Sequence, residues 1–227
     1  PLRRPSYHAM TFGWIAGEIV RRVDGRTVGT FVREEIAEPL GLDLHVGAPP
    51  GAIARVARTV RAPDYALSAF APGAVPDPRL ARVYDERLYL VMGRPDHLDA
   101  EVPGANGVAT ARAMAGLYGA LVDRRPGARR LVGADTLRAA LRERSCGTDP
   151  LTGRLLRFAF GFEINPNPSF LGPRHDAFGH TGAGGSTHGA WPSDGIGFSY
   201  VVREYRPETN DGRATRLLGA LWRSLAS

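Results

Sequence analysis

Near Leu155 the spacing of apolar residues changes from a helical period to an alternating one, and that switch limits the folds open to this chain. Before it, Met10, Phe12, Trp14, Ile15, Ile19, Val20 and Val23 recur at spacings that line a helix. After it, Leu156, Phe158, Phe160 and Phe162 alternate with Arg157, Ala159, Gly161 and Glu163, the period of a strand with one apolar face. Helices followed by strands, rather than a strict helix–strand alternation, imply an α+β fold.

Punctuating residues set the expected boundaries. A first helix over 9–24 stops at Gly25, which can turn left-handed without a Cβ clash. Thr27 can cap a second helix through Val28, Phe31, Val32 and Ile36, closed by Pro39 and Gly41. Residues 42–46 read as a short extended piece. The proline-rich stretch 49–107 reads as ordered loops around short helices. Thr110 can cap a helix through Met114, Leu117, Tyr118 and Leu121, and another helix is expected over 134–144. Three further strands are expected over 176–180, 187–191 and 196–203, with turns at 182–185 and 192–195. The chain closes with an amphipathic helix over 213–226 that turns Leu217, Leu218, Leu221 and Leu225 inward. The organisation expected is a mostly helical part, 1–150, and a part of antiparallel sheet with a covering C-terminal helix, 151–227.

Composition excludes several classes. A chain of 227 residues with 43% apolar content can bury a substantial core. The net charge of +6 raises nucleic acid as a partner, but the arginines are scattered singly or in pairs, as at Arg21-Arg22 and Arg129-Arg130. No dense basic tract with interleaved aromatics occurs, so no nucleic-acid partner is expected. No apolar run approaches the roughly 20 residues that cross a bilayer, so no membrane span is expected. Cys146 is the one cysteine; it allows no internal disulfide and reads as a surface thiol in a polar turn. All 29 basic residues are arginine, so the chain contains no lysine.

Two stretches carry chemistry. Phe178-Gly-His-Thr-Gly-Ala-Gly-Gly-Ser186 resembles the third active-site motif of the β-lactamase-like serine hydrolases, and Tyr7-His8-Ala9 resembles their tyrosine motif. Between them, Glu38-Pro39-Leu40-Gly41-Leu42 and Pro103-Gly-Ala-Asn-Gly-Val-Ala-Thr-Ala111 resemble further segments of the same fold in the same order. Within that superfamily, which spans class C β-lactamases, family VIII carboxylesterases and D-alanyl-D-alanine carboxypeptidases, the Tyr-His-Ala and His-Thr-Gly-Ala-Gly-Gly variants look more like the carboxylesterases than true β-lactamases. The resemblance implies a transpeptidase-like α+β fold and an acyl-enzyme mechanism with a Ser-x-x-Lys nucleophile. Without lysine, residues 1–227 cannot contain that motif. The chain is therefore expected to be the C-terminal part of such an enzyme, lacking the N-terminal strands and nucleophile helix and inactive alone.

The resemblance also implies roles. Tyr7 takes the place of the general base. A free tyrosine, with a pKa near 10, is a poor base at pH 7 unless a neighbouring cation stabilises its phenolate. Ala9 stands where the family has an asparagine that contacts an acyl-group amide, a departure that favours ester over β-lactam substrates. His180 replaces the lysine of Lys-Thr-Gly, and an ordinary histidine is mostly neutral at pH 7 and attracts a carboxylate poorly. Thr181 can hydrogen-bond substrate, Gly182 lets it approach closely, and the backbone N–H of Ala183 is the implied oxyanion donor.

Other candidates fit worse. Ser186 lacks the Gly-x-Ser-x-Gly elbow, and His175, His180 and His188 match no zinc spacing. No metal or cofactor is expected. Arg203 stands where relatives carry asparagine. The leading expectation is a serine esterase acting on small esters. The alternatives are a truncated or degenerate non-catalytic protein, or a weak β-lactamase or D-alanyl carboxypeptidase acting on amides. The expected partners are a small-molecule ester or amide and the missing N-terminal segment of the same fold. No signal fixes a compartment, so a bacterial cytoplasmic location is only the default.

Overall fold

The computed structural model describes residues 5–63, 65, 93–165, 170–206 and 212–225. Helix α1 (Thr11–Asp24) ends at Gly25, which turns left-handed at φ 88° and donates its N–H back to Arg21. The Thr27 side chain accepts from the Thr30 N–H and so caps α2 (Val28–Phe31). The ladder then widens into a π turn over Val32–Ala37 before α3 (Glu38–Leu40), so the second helix is not regular through Ile36. At the end of the π turn Ala37 is buried against Leu44 and Ala113, and Gly41 ends the helix at φ 64°.

Strand β1 (Leu44–His45), α4 (Pro50–Ile53), β2 (Val60–Arg61) and α5 (Pro95–Asp99) follow. Much of the proline-rich 49–107, residues 64 and 66–92, lies outside the described residues. Strand β3 (Val108–Ala109) pairs antiparallel with β1. Thr110 caps α6 (Ala111–Val122) by accepting from the Ala113 N–H. Helix α7 (Ala134–Ala140) is shorter than expected. The N–H of Arg144 is already committed to the Phe158 carbonyl, so the chain there has left the helix for β4 (Ser145–Thr148). Cys146 therefore lies exposed on a strand rather than in a turn.

Strand β4 begins a six-stranded sheet completed in chain order by β5 (Leu155–Phe158), β6 (Glu163–Ile164), β7 (Phe178–Thr181), β8 (Thr187–Trp191) and β9 (Ile196–Tyr200), every neighbouring pair antiparallel. The alternation over 155–162 thus covers strand β5 and the turn that leads into β6, not one continuous strand. Gly161 turns left-handed at φ 76°, the Ala159 N–H donates to the Phe162 carbonyl, and Phe160 sits exposed at the hairpin tip beneath the Arg144 guanidinium. Strand β10 (Glu204–Tyr205) pairs parallel with β2.

The sheet separates two cores. Phe178 and Ala190 meet Tyr118, Leu121 and Val122 of α6 and Leu137 of α7. Ala177, Trp191 and Phe198 meet Leu171 and Leu218, the latter on α8 (Arg213–Leu225). Within α8, Leu218 is buried while Leu217 and Leu225 are exposed. Successive residues on a helix stand about 100° apart, so Leu217 and Leu218 cannot both face the sheet. The α1 stripe likewise points outward, with Phe12, Trp14, Ile15, Ile19 and Val23 all exposed.

Candidate active site

The chain ahead of α1 is tied to the β4–β5 hairpin by one buried carboxylate. The Ser6 hydroxyl donates to Asp149 Oδ1 at 3.0 Å and the Tyr7 N–H to Oδ2 at 3.4 Å. The same carboxylate accepts the Leu151 N–H at 3.0 Å and the Thr152 hydroxyl at 2.8 Å within its own turn. Asp149 is 1% exposed. Alongside, Pro5 packs on Gly147, where an added Cβ would stand 3.0 Å from Pro5 Cδ. On the other flank the Ala9 carbonyl lies against Gly104, so the Pro103-Gly104 segment backs the same strap.

Held there, the Tyr7 hydroxyl lies 3.4 Å from His180 Nε2. The two rings are 5.7 Å apart, and Phe158 completes an aromatic triad, 6.2 Å from Tyr7 and 6.0 Å from His180. The other ring nitrogen of His180, Nδ1, is 2.5 Å from the Thr181 carbonyl. A carbonyl can only accept, so Nδ1 carries the hydrogen, and in the neutral imidazole Nε2 is the acceptor turned toward Tyr7. Behind this pair, His188 faces His180 across the β7–β8 ladder, with Nδ1 2.8 Å from the Ser199 hydroxyl. Burial, and secondarily the charge His180 can carry, push the His188 pKa down to about 4.

Thr181 ends β7, and the chain turns immediately. The Gly182 N–H donates to the Ser186 carbonyl at 2.8 Å and the Gly185 N–H to the Gly182 carbonyl at 3.1 Å. Gly184, at φ 89°, lies against the Tyr205 ring, where a Cβ would come within 2.5 Å. Its carbonyl accepts from the Arg206 N–H and from Arg213 Nη2, at 3.3 and 3.4 Å. Between these anchors Ala183 is exposed, and its N–H makes no hydrogen bond among the described residues. The structure thus brings Tyr7 and His180 into contact and places Thr181, Gly182 and Ala183 directly beyond them on one strand end.

The remaining candidates fall elsewhere. Ser186 opens β8 with its carbonyl closing the turn and its side chain against Gly182, without a following helix. Among the described residues no three His, Cys, Asp or Glu side chains group as metal ligands do. Arg203 Nε lies 3.4 Å from the Arg58 carbonyl, beside the β2–β10 pairing. An open pocket of about 790 Å³ between α6 and β9, lined by Leu42, Gly116, Arg124 and Asp194 among others, shares no residue with this cluster. Sequence reasoning did not single out Asp149, Tyr205 or the site role of Phe158. Asp149 and Ser6 stand 143 residues apart, and only the fold joins them.

Known proteins resemble this chain over most of its length. A family model for beta-lactamases matches residues 1–221. The esterase/beta-lactamase LipL of Mycobacterium tuberculosis (strain ATCC 25618 / H37Rv) is 36% identical over 88% of this chain and 48% of its own length. A penicillin-binding protein homolog from Caulobacter crescentus superposes with a TM-score of 0.81 at 35% identity, covering 98% of this chain and 59% of that one. A family VIII carboxylesterase superposes with a TM-score of 0.77 at 30% identity, covering 98% and 59%. The chain thus spans about half to three fifths of the length of these relatives. With the matching model running over nearly all of its residues, the chain belongs to the beta-lactamase family of hydrolases.

Proposed function

We propose that this chain is the larger part of a serine esterase that works through an acyl-enzyme, with the nucleophile supplied by polypeptide outside residues 1–227. The observation that carries the reading is the contact between the Tyr7 hydroxyl and His180 Nε2, set beside the exposed residue Ala183. In the reaction, a serine oxygen attacks the ester carbonyl while its proton passes to the Tyr7 phenolate, the form stabilised by the lysine of the Ser-x-x-Lys segment outside residues 1–227. The tetrahedral oxyanion is held by the Ala183 N–H, a donor worth about 3–4 kcal/mol to the transition state. Collapse breaks the ester bond, and the alkoxide leaves with a proton returned from Tyr7. Water then repeats the attack on the acyl-serine and releases the acid. Whenever Tyr7 is protonated, its hydroxyl donates to His180 Nε2, which keeps the phenol aimed at the strand end. Thr181 and Gly182 line the approach of the substrate.

In the full-length protein, Tyr7→Phe is expected to lower kcat for a short-chain ester by about 10²- to 10⁴-fold with the fold intact. Activity within a few-fold of the parent removes Tyr7 from the chemistry. Substrate preference follows from position 180. A neutral imidazole attracts a carboxylate less than an ammonium does, so a neutral ester is expected to outrun a carboxylate-bearing chromogenic cephalosporin. His180→Lys is expected to shift turnover toward the cephalosporin, and an unchanged ratio contradicts the role given to His180.

A second reading, a degenerate binding protein, is favoured by one observation: no Ser-x-x-Lys can exist in a chain without lysine. The gene upstream of the Pro1 codon separates the two. An in-frame Ser-x-x-Lys supports the esterase, and its absence leaves the non-catalytic reading.

A further inference from the structure

We infer that Asp149 is a positioning residue, setting through its carboxylate where the Tyr7 hydroxyl can reach. The inference rests on the proposed role of Tyr7 in proton transfer and adds a residue that acts on it from the opposite side of the strap. An ionised carboxylate has about four acceptor directions, and all four are used here. Oδ1 takes the Ser6 hydroxyl and the Leu151 N–H, and Oδ2 takes the Tyr7 N–H and the Thr152 hydroxyl. Two of these bonds close the β4–β5 turn. The other two cross to the strap, one of them to the backbone of Tyr7 itself.

A carboxylate needed only to shape its turn would keep the first two bonds and leave its other lone pairs to solvent. This one is 1% exposed and spends them on the segment whose next side-chain contact is with His180. The tyrosine backbone is thus fixed from the hairpin while its hydroxyl end is fixed from β7. Losing the strap bonds leaves the phenol free to drift from the reacting atoms, and misplacement by about 1 Å can cost about 10²-fold in rate.

Because the bonds divide, the two jobs of Asp149 can be tested apart in the full-length protein. Ser6→Ala removes a strap bond and keeps the turn, whereas Thr152→Ala removes a turn bond and keeps the strap. For hydrolysis of a short-chain ester, Ser6→Ala is expected to lower kcat about tenfold or more with KM within about twofold. Ser6→Thr, which keeps the hydroxyl, restores kcat. Thr152→Ala lowers the thermal midpoint with kcat largely retained. In a Tyr7→Phe background Ser6→Ala is expected to have no further effect on kcat, since the two act through one group.

An unchanged kcat in Ser6→Ala overturns the inference while leaving the role of Tyr7 standing, as does a loss that persists in full in the Tyr7→Phe background. Parent-like kcat in Tyr7→Phe alone overturns the proposed function, and this inference with it.

Discussion

His188 gives the fold a pH dependence whose sign follows from its surroundings. Burial, then His180, hold its pKa at about 4, against about 6.5 for an ordinary histidine. Between those values the unfolded chain binds a proton that folded His188 refuses. The contribution is therefore complete above about pH 6.5 and is lost as the pH falls through about 4. At about 1.4 kcal/mol per pH unit the difference amounts to about 3 kcal/mol. Unfolding free energy measured from pH 7 to pH 4 is expected to fall less steeply in His188→Asn than in the parent, and equal slopes contradict the assignment. At this scale Tyr7 and the run His180-Thr181-Gly182-Ala183 were legible because each belongs to a contiguous motif. Asp149 was not, because nothing next to it in the chain signals a partner 143 residues away.

The helix α6 and strand β9 meet through glycine. A Cβ on Gly197 would stand 2.2 Å from the Gly119 nitrogen and 2.3 Å from the Ala115 carbonyl oxygen, both backbone atoms that cannot move aside singly. Gly197→Ala is expected to push α6 off the sheet and cost about 1–3 kcal/mol, as overpacked cores do. Urea denaturation of the full-length protein reads this directly, and an unshifted midpoint contradicts the packing. Helix ends were legible in the sequence where a local device makes them: Thr27 and Thr110 cap, and Gly25 and Gly41 stop. The Leu155–Ile164 region was not, because phenylalanine alternation runs unbroken through the Phe160-Gly161 turn and hides the break between β5 and β6. The π turn at Val32–Ala37 also left no mark in the apolar spacing.

Over the whole molecule, apolar faces are left uncovered where the amphipathic pattern promised burial. Phe12, Ile15, Ile19 and Val23 are exposed along α1, and Leu217, Trp222 and Leu225 along α8. Strand β9 ends the sheet with no further neighbour among the described residues. Patches and edges of this kind drive association, so the isolated 227-residue chain is expected to self-associate in light scattering, and a sharp monomeric thermal transition contradicts this. The fold class and the order of motifs were legible because they rest on periodicity and resemblance. Which faces stay open was not, since amphipathicity says that a face is apolar and not what covers it. In the proposed enzyme these residues supply the proton carrier and oxyanion donor while the nucleophile lies elsewhere. The most direct test is to label the full-length protein with a serine-reactive phosphonate ester and map the modified residue by mass spectrometry. The label is expected on a serine of a Ser-x-x-Lys sequence outside residues 1–227, and a label on Ser186 or any other residue of this chain rules out the proposed division of roles.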